Sequence, residues 1–212
     1  MSTKSDQATK RRRYRKRLRA QQEDETRRRI TEATVGLHGT IGPAQTTISA
    51  IAERAGVQRA TVYRHFPDEE SLFAACSAHW IGANPRPDLG EWAAIADPDE
   101  RLRVGLGELY AWFERGEYML EKTSRDAAVV PALGKPIAAS ARWSEAAAET
   151  LMEGRPERGS RRRRARAALG HAVTFGTWRS LVRDQGLSRA AAVALMAAMV
   201  GGRARSARPH RP

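Results

Sequence analysis

One short segment carries four polar side chains that can hydrogen-bond a nucleic-acid base or a phosphate. They are Arg59, Thr61, Tyr63 and His65. Residues 58–66 predict a helix in which Val62 and Phe66, one turn apart, face the core. The four polar residues are then available to solvent or to a groove, as a recognition helix in the major groove of DNA requires.

The residues just before this segment predict the helix that positions it. Thr47 can cap a helix with an apolar face at helical spacing, and Gly56 can adopt the left-handed turn that ends it. The apolar residues are Ile48, Ile51, Ala52 and Ala55. Ala52 is small where the two helices must cross. Residues 46–66 therefore predict a helix-turn-helix.

The segment TTISAIAERAGVQRATVYRHFPDEESLFAA closely resembles the DNA-binding signature of TetR-type bacterial transcriptional repressors. In that family a short recognition helix ends in Tyr-x-His-Phe and precedes a helix that leads into a ligand-binding domain. The close match covers residues 29–75, and beyond it only length and helical character agree.

The resemblance implies a homodimeric, ligand-responsive repressor of an inverted-repeat operator in double-stranded DNA. A small molecule would stabilise a form with wrongly spaced recognition helices and so release the DNA. By the same resemblance, Arg59 and Thr61 would contact base edges, and Tyr63 and His65 would contact a phosphate or a base. Thr47 and Ser49 would contact backbone phosphates. The full set of matching DNA-binding positions is Thr47, Ser49, Gln58, Arg59, Ala60, Thr61, Tyr63 and His65.

The start of the helix after the motif departs from the family. Relatives often have a lysine there that contacts phosphate, whereas this chain has Asp68, Glu69 and Glu70. These acids favour the start of a helix but repel a phosphate backbone. A basic N-terminal arm is a plausible substitute for the missing contact.

The excess positive charge lies at the two ends of the chain. Of the net charge of +13, residues 1–29 hold +8 and residues 203–212 hold +4. Residues 1–19 show no apolar periodicity, so we expect them not to order themselves alone. They are either a solvated tail or an arm that lies on phosphates or enters the minor groove.

Composition favours an all-α protein. The resemblance implies a three-helix, helix-turn-helix DNA-binding domain at its N-terminal end and a larger C-terminal helical domain for ligand binding and dimerisation. The predicted parts are a basic disordered arm at 1–21, the DNA-binding domain at 22–68, the larger domain at 69–202 and a basic disordered tail at 203–212. The first helix is expected from about residue 23 to residue 38.

The larger domain is expected to follow a loop at residues 82–97. One helix is predicted at 98–116, a separate short one around Met119 and Leu120, and another at 137–152. The run at 161–166 opens a further helix, whose arginines form either a solvated face or a second nucleic-acid site. The last helix, after Ser188, is apolar almost all round and is expected to meet another subunit.

Aromatic residues on three predicted helices of this domain could line a ligand pocket. The candidates are Trp112, Phe113, Trp143, His171, Phe175 and Trp178. His171 and Phe175 lie one turn apart and share a face. Each could instead be an ordinary core residue. Their gathering predicts an apolar or aromatic ligand, with His171 as its polar partner.

Residues with catalytic or metal-binding spacing are scarce. No phosphate-binding glycine loop, His-Glu-x-x-His, Cys-x-x-Cys or serine elbow occurs, so we expect no enzyme, no cofactor and no metal. The lone Cys76 shares a helix face with His79 but has no third ligand nearby. A single cysteine fits a reducing compartment. Because no apolar run is long enough to span a bilayer, the chain is expected in the cytoplasm.

A second class of function fits the charge. A basic architectural or RNA-associated protein would use the arginine-rich ends to bind nucleic acid without reading its sequence. Deleting residues 1–21 separates the two readings, because only the repressor would retain preference for a specific inverted repeat.

Overall fold

The computed structural model describes the backbone of residues 4–201 and the side chains of residues 10–201. Within that range the regular elements are helical, which confirms the all-α fold. The helices are α1 (Lys4–Thr40), α2 (Ile48–Ala55), α3 (Arg59–His65), α4 (Glu69–Ala83), α5 (Leu89–Ala93), α6 (Pro98–Asp126), α7 (Gly134–Met152), α8 (Gly159–Ala172), α9 (Phe175–Arg179) and α10 (Arg189–Gly201). A single turn with π-helical hydrogen bonds follows α9 at Ser180–Asp184.

The chain divides into two compact units. Among the described residues, the first contains 4–82 together with 122–133, and the second contains 83–121 together with 134–201. The first unit therefore extends past the boundary expected at residue 68. It includes most of α4 and the last residues of α6.

The core of the first unit is built from the apolar faces of α1 to α4. Its buried residues are Ile30, Ala33, Ile51, Ala52, Ala55, Val62, Phe66, Leu72 and Cys76. The stripes predicted for the helix-turn-helix thus face one another. Burial of these side chains stabilises the unit by roughly 1.5–3 kcal/mol for each large aliphatic or aromatic residue.

The first helix begins far earlier than predicted. It starts at Lys4 instead of near residue 23, so the expectation of a disordered arm is wrong for residues 4–21. Long straight side chains such as Lys, Arg and Gln lose little freedom in a helix, and a helix already nucleated by packing at Ile30 gains one hydrogen bond per added residue. Residues 1–3 and the tail predicted at 203–212 lie outside the described residues.

The longest helix of the second unit corrects a predicted break. Leu102, Leu106 and Leu109 are buried as expected, but α6 continues through Gly116 to Asp126, so the separate helix around residues 119–120 is wrong. One glycine costs a helix only about 1 kcal/mol. The burial of Met119 offsets that cost.

The predicted loop at residues 82–97 contains a short helix, α5, that the sequence did not indicate. Asp88 caps it by accepting a hydrogen bond from the Gly90 amide at 2.8 Å. Trp92 is fully buried, and its Nε1 donates to Glu108 at 2.7 Å. Five residues are too few to show helical periodicity, so only the apolar Trp92 was a signal.

The last helix is apolar on most sides, as predicted, and packs against α8. Its buried residues are Ala192, Val193, Met196 and Val200, whereas Leu195 is 42% and Met199 56% exposed. These two side chains leave an apolar surface for a partner. The second subunit itself stays a prediction.

Candidate nucleic-acid interface and ligand site

The turn between α2 and α3 is set by two residues whose roles were predicted. Thr47 Oγ1 accepts a hydrogen bond from the Ala50 amide at 3.1 Å and caps α2. Gly56 has φ 63° and ψ 43°, the left-handed conformation that ends the helix. The Val57 amide then donates to the Ala52 carbonyl at 2.9 Å, which closes the turn.

The predicted recognition helix α3 has a buried face and an exposed face. Val62 is fully buried and Phe66, just after the helix, is 2% exposed. On the other side Arg59, Ala60 and Tyr63 are exposed, with Tyr63 at 50%. The remaining exposed candidates are Thr47, Ser49 and Gln58. This surface offers guanidinium, amide and hydroxyl groups to a groove.

Two of the candidate DNA-binding residues are only partly on that surface. Thr61 and His65 are half-buried. His65 Nε2 is enclosed, without a hydrogen-bond partner among the described residues. Burial, then the charges of Arg64 and Arg27, lowers the pKa of His65. A neutral imidazole is a weaker phosphate ligand than a cation, so Tyr63 and Arg59 are better placed for contact.

Two arginines of α1 cap the helix-turn-helix, which sequence reasoning missed. Arg29 donates from Nη2 to the Ala55 carbonyl and to the Gly56 carbonyl, the latter at 3.1 Å. Arg27 donates from Nη1 to the His65 carbonyl at 2.5 Å, and its guanidinium lies 4.1 Å from the centre of the Phe66 ring. Cations at the C-terminal ends of α2 and α3 also complement the helix dipoles.

The acids at the start of α4 act as helix-starting residues. Asp68 Oδ1 accepts from the Ser71 amide at 2.7 Å, and Glu69 and Glu70 lie exposed in the first turn. They contribute negative charge beside the recognition helix, as the sequence indicated.

The loop before α2 is held by the last two residues of α6. Asp126 is 4% exposed and accepts from the Ala44 amide at 2.9 Å, while Arg125 donates to the Ile41 carbonyl at 3.1 Å. Arg125 also donates to Asp126 at 2.7 Å, which, with the Ala44 amide, lowers the pKa of that carboxyl. His38 lies nearby against Phe73, with ring centres 4.8 Å apart, and burial lowers its pKa to about 4.

The match with known proteins falls on this same part of the chain. The family model for bacterial regulatory proteins of the tetR family matches residues 30–76. This region belongs to the TetR family. The matched residues start in the packed part of α1 and end in α4, so they contain the whole core described above.

Two curated relatives resemble part of this chain. The uncharacterised HTH-type transcriptional regulator YerO of Bacillus subtilis is 29% identical over 92 residues, which are 42% of this chain and 32% of YerO. The HTH-type transcriptional repressor KstR of Mycobacterium tuberculosis is 29% identical over 102 residues, 48% of this chain and 46% of KstR. The chain thus spans less than half the length of either relative.

Two solved structures share the fold over most of the chain. A TetR-like transcriptional regulator from Rhodococcus sp. RHA1 aligns with a TM-score of 0.58 and 19% identity, covering 82% of this chain and 93% of the other. FadR from Bacillus subtilis, solved with stearoyl-CoA, aligns with a TM-score of 0.54 and 18% identity, covering 82% and 98%. At such low identity the likeness concerns the fold alone.

In the second unit, five of the six predicted ligand-site residues form one aromatic cluster. Phe113 is its centre, with ring centres 5.5 Å from Trp112, 5.6 Å from Phe175 and 6.0 Å from Trp178. Trp143 lies 6.5 Å from Trp112. Two of the three helices expected to supply the site are α6 and α7. The third, predicted to carry His171, Phe175 and Trp178 together, is divided into α8 and α9, because Thr174 caps a new helix by accepting from the Thr177 amide; His171 and Phe175 therefore do not share a helix face.

The sixth candidate, His171, is exposed on the last turn of α8 and makes no ring contact with this cluster. The polar group at the cluster is Arg86, which sequence reasoning missed. Its guanidinium lies 5.6 Å from the Trp112 ring centre and 5.2 Å from that of Trp143, and it donates to Ser140 at 2.7 Å. Burial lowers its pKa, and no carboxylate among the described residues pairs with it.

The side chain of Trp178 adds a polar group without a hydrogen-bond partner to the cluster. It is fully buried, and its Nε1 has no hydrogen-bond acceptor among the described residues. A buried donor without a partner costs roughly 1–3 kcal/mol. An acceptor on a bound molecule would remove that cost.

The lone cysteine is a core residue. Cys76 is 5% exposed, its Sγ lies 3.8 Å from the Thr31 carbonyl oxygen, and burial raises its pKa to about 12. A protonated, enclosed thiol is unreactive. Over the described residues, no three His, Cys, Asp or Glu side chains are grouped for a metal ion, and none of the helices is long and apolar enough to cross a membrane.

Proposed function

We propose that this protein is a ligand-responsive transcriptional regulator that binds an inverted-repeat operator as a homodimer and releases it when a small molecule binds. The observation that carries the proposal is α3, whose exposed Arg59 and Tyr63 lie opposite the buried Val62 within the TetR-family region. A short helix that is anchored on one face and polar on the other fits the major groove.

Homodimer binding follows from the same geometry. One α3 reads only a few base pairs, and two copies related by a two-fold axis read the two halves of an inverted repeat. The exposed Leu195 and Met199 of α10 support an apolar contact between copies. We expect two chains, or a multiple of two, on each operator.

We propose that the aromatic cluster binds the effector, an apolar or aromatic molecule that carries an acidic group. The rings of Trp112, Phe113 and Trp143 supply the apolar surface. Arg86 supplies a partly desolvated cation with no carboxylate partner in the described chain, and such a cation favours a ligand carboxylate or phosphate. Binding would require these packed side chains to move apart.

The proposed signal passes along α6. This helix carries Trp112 and Phe113, and it ends at Arg125 and Asp126, which hold the loop before α2. A ligand that displaces α6 would weaken or reorient this support and so favour a form with lower operator affinity. Asp126→Asn should then alter release by a ligand more than it alters DNA binding by the free protein.

The test of DNA reading is selection of bound sites from random duplexes by the full chain. The expected result is an inverted repeat with two chains bound, measured by fluorescence anisotropy and by mass. Binding of all duplexes with equal affinity would support instead the basic architectural or RNA-associated protein.

The test of the effector site is tryptophan fluorescence with a panel of apolar and aromatic carboxylic acids and their neutral methyl esters. Acids should quench or shift the emission and release the selected operator, and Arg86→Gln should abolish the preference for acid over ester. His171→Ala is the matched control and should leave that preference unchanged. The opposite pattern would return the polar role to His171.

A further inference from the structure

The N-terminal part of α1 is a basic helix that lies beyond the packed core. Residues 10–19, here called the basic extension, contain eight Lys or Arg and no acid. Every one of these side chains is exposed, including Tyr14 at 67% and Leu18 at 43%. In the described chain the only ion pair of the extension is Arg19 with Glu23, at 3.6 Å.

The charges of the extension oppose its helical form. Like charges lie four residues apart at Arg11 and Arg15, at Arg12 and Lys16, and at Arg13 and Arg17. Such pairs destabilise a helix by about 0.2–0.5 kcal/mol each. A polyanion alongside would remove this cost, so the helix should be most stable when bound to one.

Duplex DNA matches the extension in charge density. Ten helical residues span about 15 Å, and B-DNA carries one phosphate per ~1.7 Å of its axis, so about nine phosphates fall within that length. The basic residues of the extension lie on all sides of its helix and are not confined to one face. That distribution favours contact with a charged groove or backbone over docking to one protein surface.

The extension belongs to the same helix that packs against the recognition helix. It continues without a break into the part of α1 that packs in the core at Ile30. Further along α1, Arg27 bonds the His65 carbonyl at the end of α3 and covers the Phe66 ring. Helical continuity therefore places the basic residues about 12–25 Å along α1 from this contact with α3.

We propose that the basic extension is a helical DNA-contact element that binds phosphates of the same duplex that α3 reads. It raises affinity and salt dependence without reading bases, and it replaces the phosphate contact that Asp68, Glu69 and Glu70 cannot make. This inference rests on the proposed function. It differs from a disordered arm because helical continuity fixes where the charges lie.

The first experiment removes charge. Arg12, Arg13, Lys16 and Arg17 are replaced by Gln in the full chain, and the matched control carries the same change at Arg161, Arg162, Arg163 and Arg164 of α8. Binding to the selected operator and to a scrambled duplex is measured by anisotropy between 50 and 200 mM salt. Both proteins should keep the wild-type thermal midpoint, because neither set lies in the core.

The extension variant should lose at least about tenfold in affinity for operator and scrambled duplex alike, and its log–log salt slope should fall by about 0.9 per lost phosphate contact. The α8 control should match the wild type. An unchanged slope in the extension variant would overturn the proposal. So would an extension-dependent preference for RNA, an acidic peptide or anionic vesicles over duplex DNA in competition.

The second experiment keeps every charge and breaks the helix with Ala20→Pro. Proline inside a helix removes a hydrogen bond and kinks the chain, so the charges should lose their register with α3. Operator affinity and salt slope should then fall toward those of the charge variant. If Ala20→Pro keeps the wild-type operator affinity and salt slope, the charges act as a flexible arm and the proposed helical element is overturned. If the wild type selects no inverted repeat, the proposed function fails, while the salt slopes still test the extension on random duplex.

Discussion

The two candidate sites of this protein differ in how they relate to its core. The exposed face of α3 is supported by buried Val62 and Phe66 but does not include them. The aromatic cluster of the second unit consists of residues that are themselves core, since Trp112, Phe113 and Trp178 are each at most 5% exposed. In the first unit binding and stability can be changed separately, whereas in the second a change to the site is a change to the core.

The largest effect is expected from Trp178→Ala. This residue is fully buried against Phe113 and Phe175, so its truncation should lower the free energy of unfolding by about 3–5 kcal/mol. Urea denaturation followed by circular dichroism measures the loss. A change below about 1 kcal/mol would mean that the site can be altered without cost to the core, and would remove the contrast with α3.

The sequence predicted those features that depend on residues close together in the chain. Thr47, Gly56, Val62 and Phe66 act as predicted, because caps, left-handed turns and helical spacing depend on neighbours along the chain. The aromatic cluster was predicted in membership from helical positions. The polar side chain beside the cluster was not predicted, because Arg86 reaches Trp143 from a distant segment with no periodicity.

The failures have a shared physical cause. The predicted first helix contains Arg27 and Arg29 without a role for either, yet they cap α3 and α2 through contacts 38 and 26 residues away in sequence. The basic extension was predicted to be disordered because composition reports what a segment can bury, not whether a neighbouring helix can propagate into it. Both features depend on other parts of the fold, which the local sequence pattern does not report.

The second-largest effect is the pH dependence of stability that comes from a buried histidine of the first unit. His38 is 4% exposed, and its pKa in the folded protein is about 4, below its ordinary 6.5. As pH falls through 6.5, the unfolded chain binds a proton at this histidine while the folded chain does not. The free energy of unfolding therefore decreases as pH falls from about 6.5 to about 4. The loss between pH 7 and 4 should be roughly 3 kcal/mol.

His38→Phe is the control for this prediction. It keeps a ring against Phe73 and removes the titrating group, while Asp126 and the other acids stay the same. The unfolding free energy of the variant should therefore rise relative to that of the wild type as pH falls. Parallel pH profiles would show that His38 is not the group responsible.

The third effect separates binding from stability on α3. Arg59→Ala and Tyr63→Ala should each weaken binding to the selected operator by about 1–3 kcal/mol if a base contact is lost, and by less for scrambled duplex. Both residues are exposed, so the thermal midpoint should stay at the wild-type value. Arg163→Ala on α8 removes the same charge as Arg59→Ala and should leave operator binding unchanged. Unchanged operator affinity in both α3 variants would mean that another face reads the DNA.

The smallest effect tests whether neighbouring arginines of α1 divide between structure and surface. Arg29 donates to the Ala55 and Gly56 carbonyls at the end of α2, so Arg29→Ala should cost about 1–2 kcal/mol of stability, because the part-buried Ala55 carbonyl loses a charged donor. Arg28, the next residue, pairs with Glu25 at 2.7 Å and Glu32 at 2.6 Å on an exposed surface, where each pair is worth at most about 1 kcal/mol. Arg28→Ala should therefore have less effect in denaturant melts, and its effect should vanish in high salt while that of Arg29→Ala persists. Equal losses for the two variants would indicate that Arg29, like Arg28, contributes only surface charge, and the helix-turn-helix would then be held by its apolar core and the Gly56 turn alone.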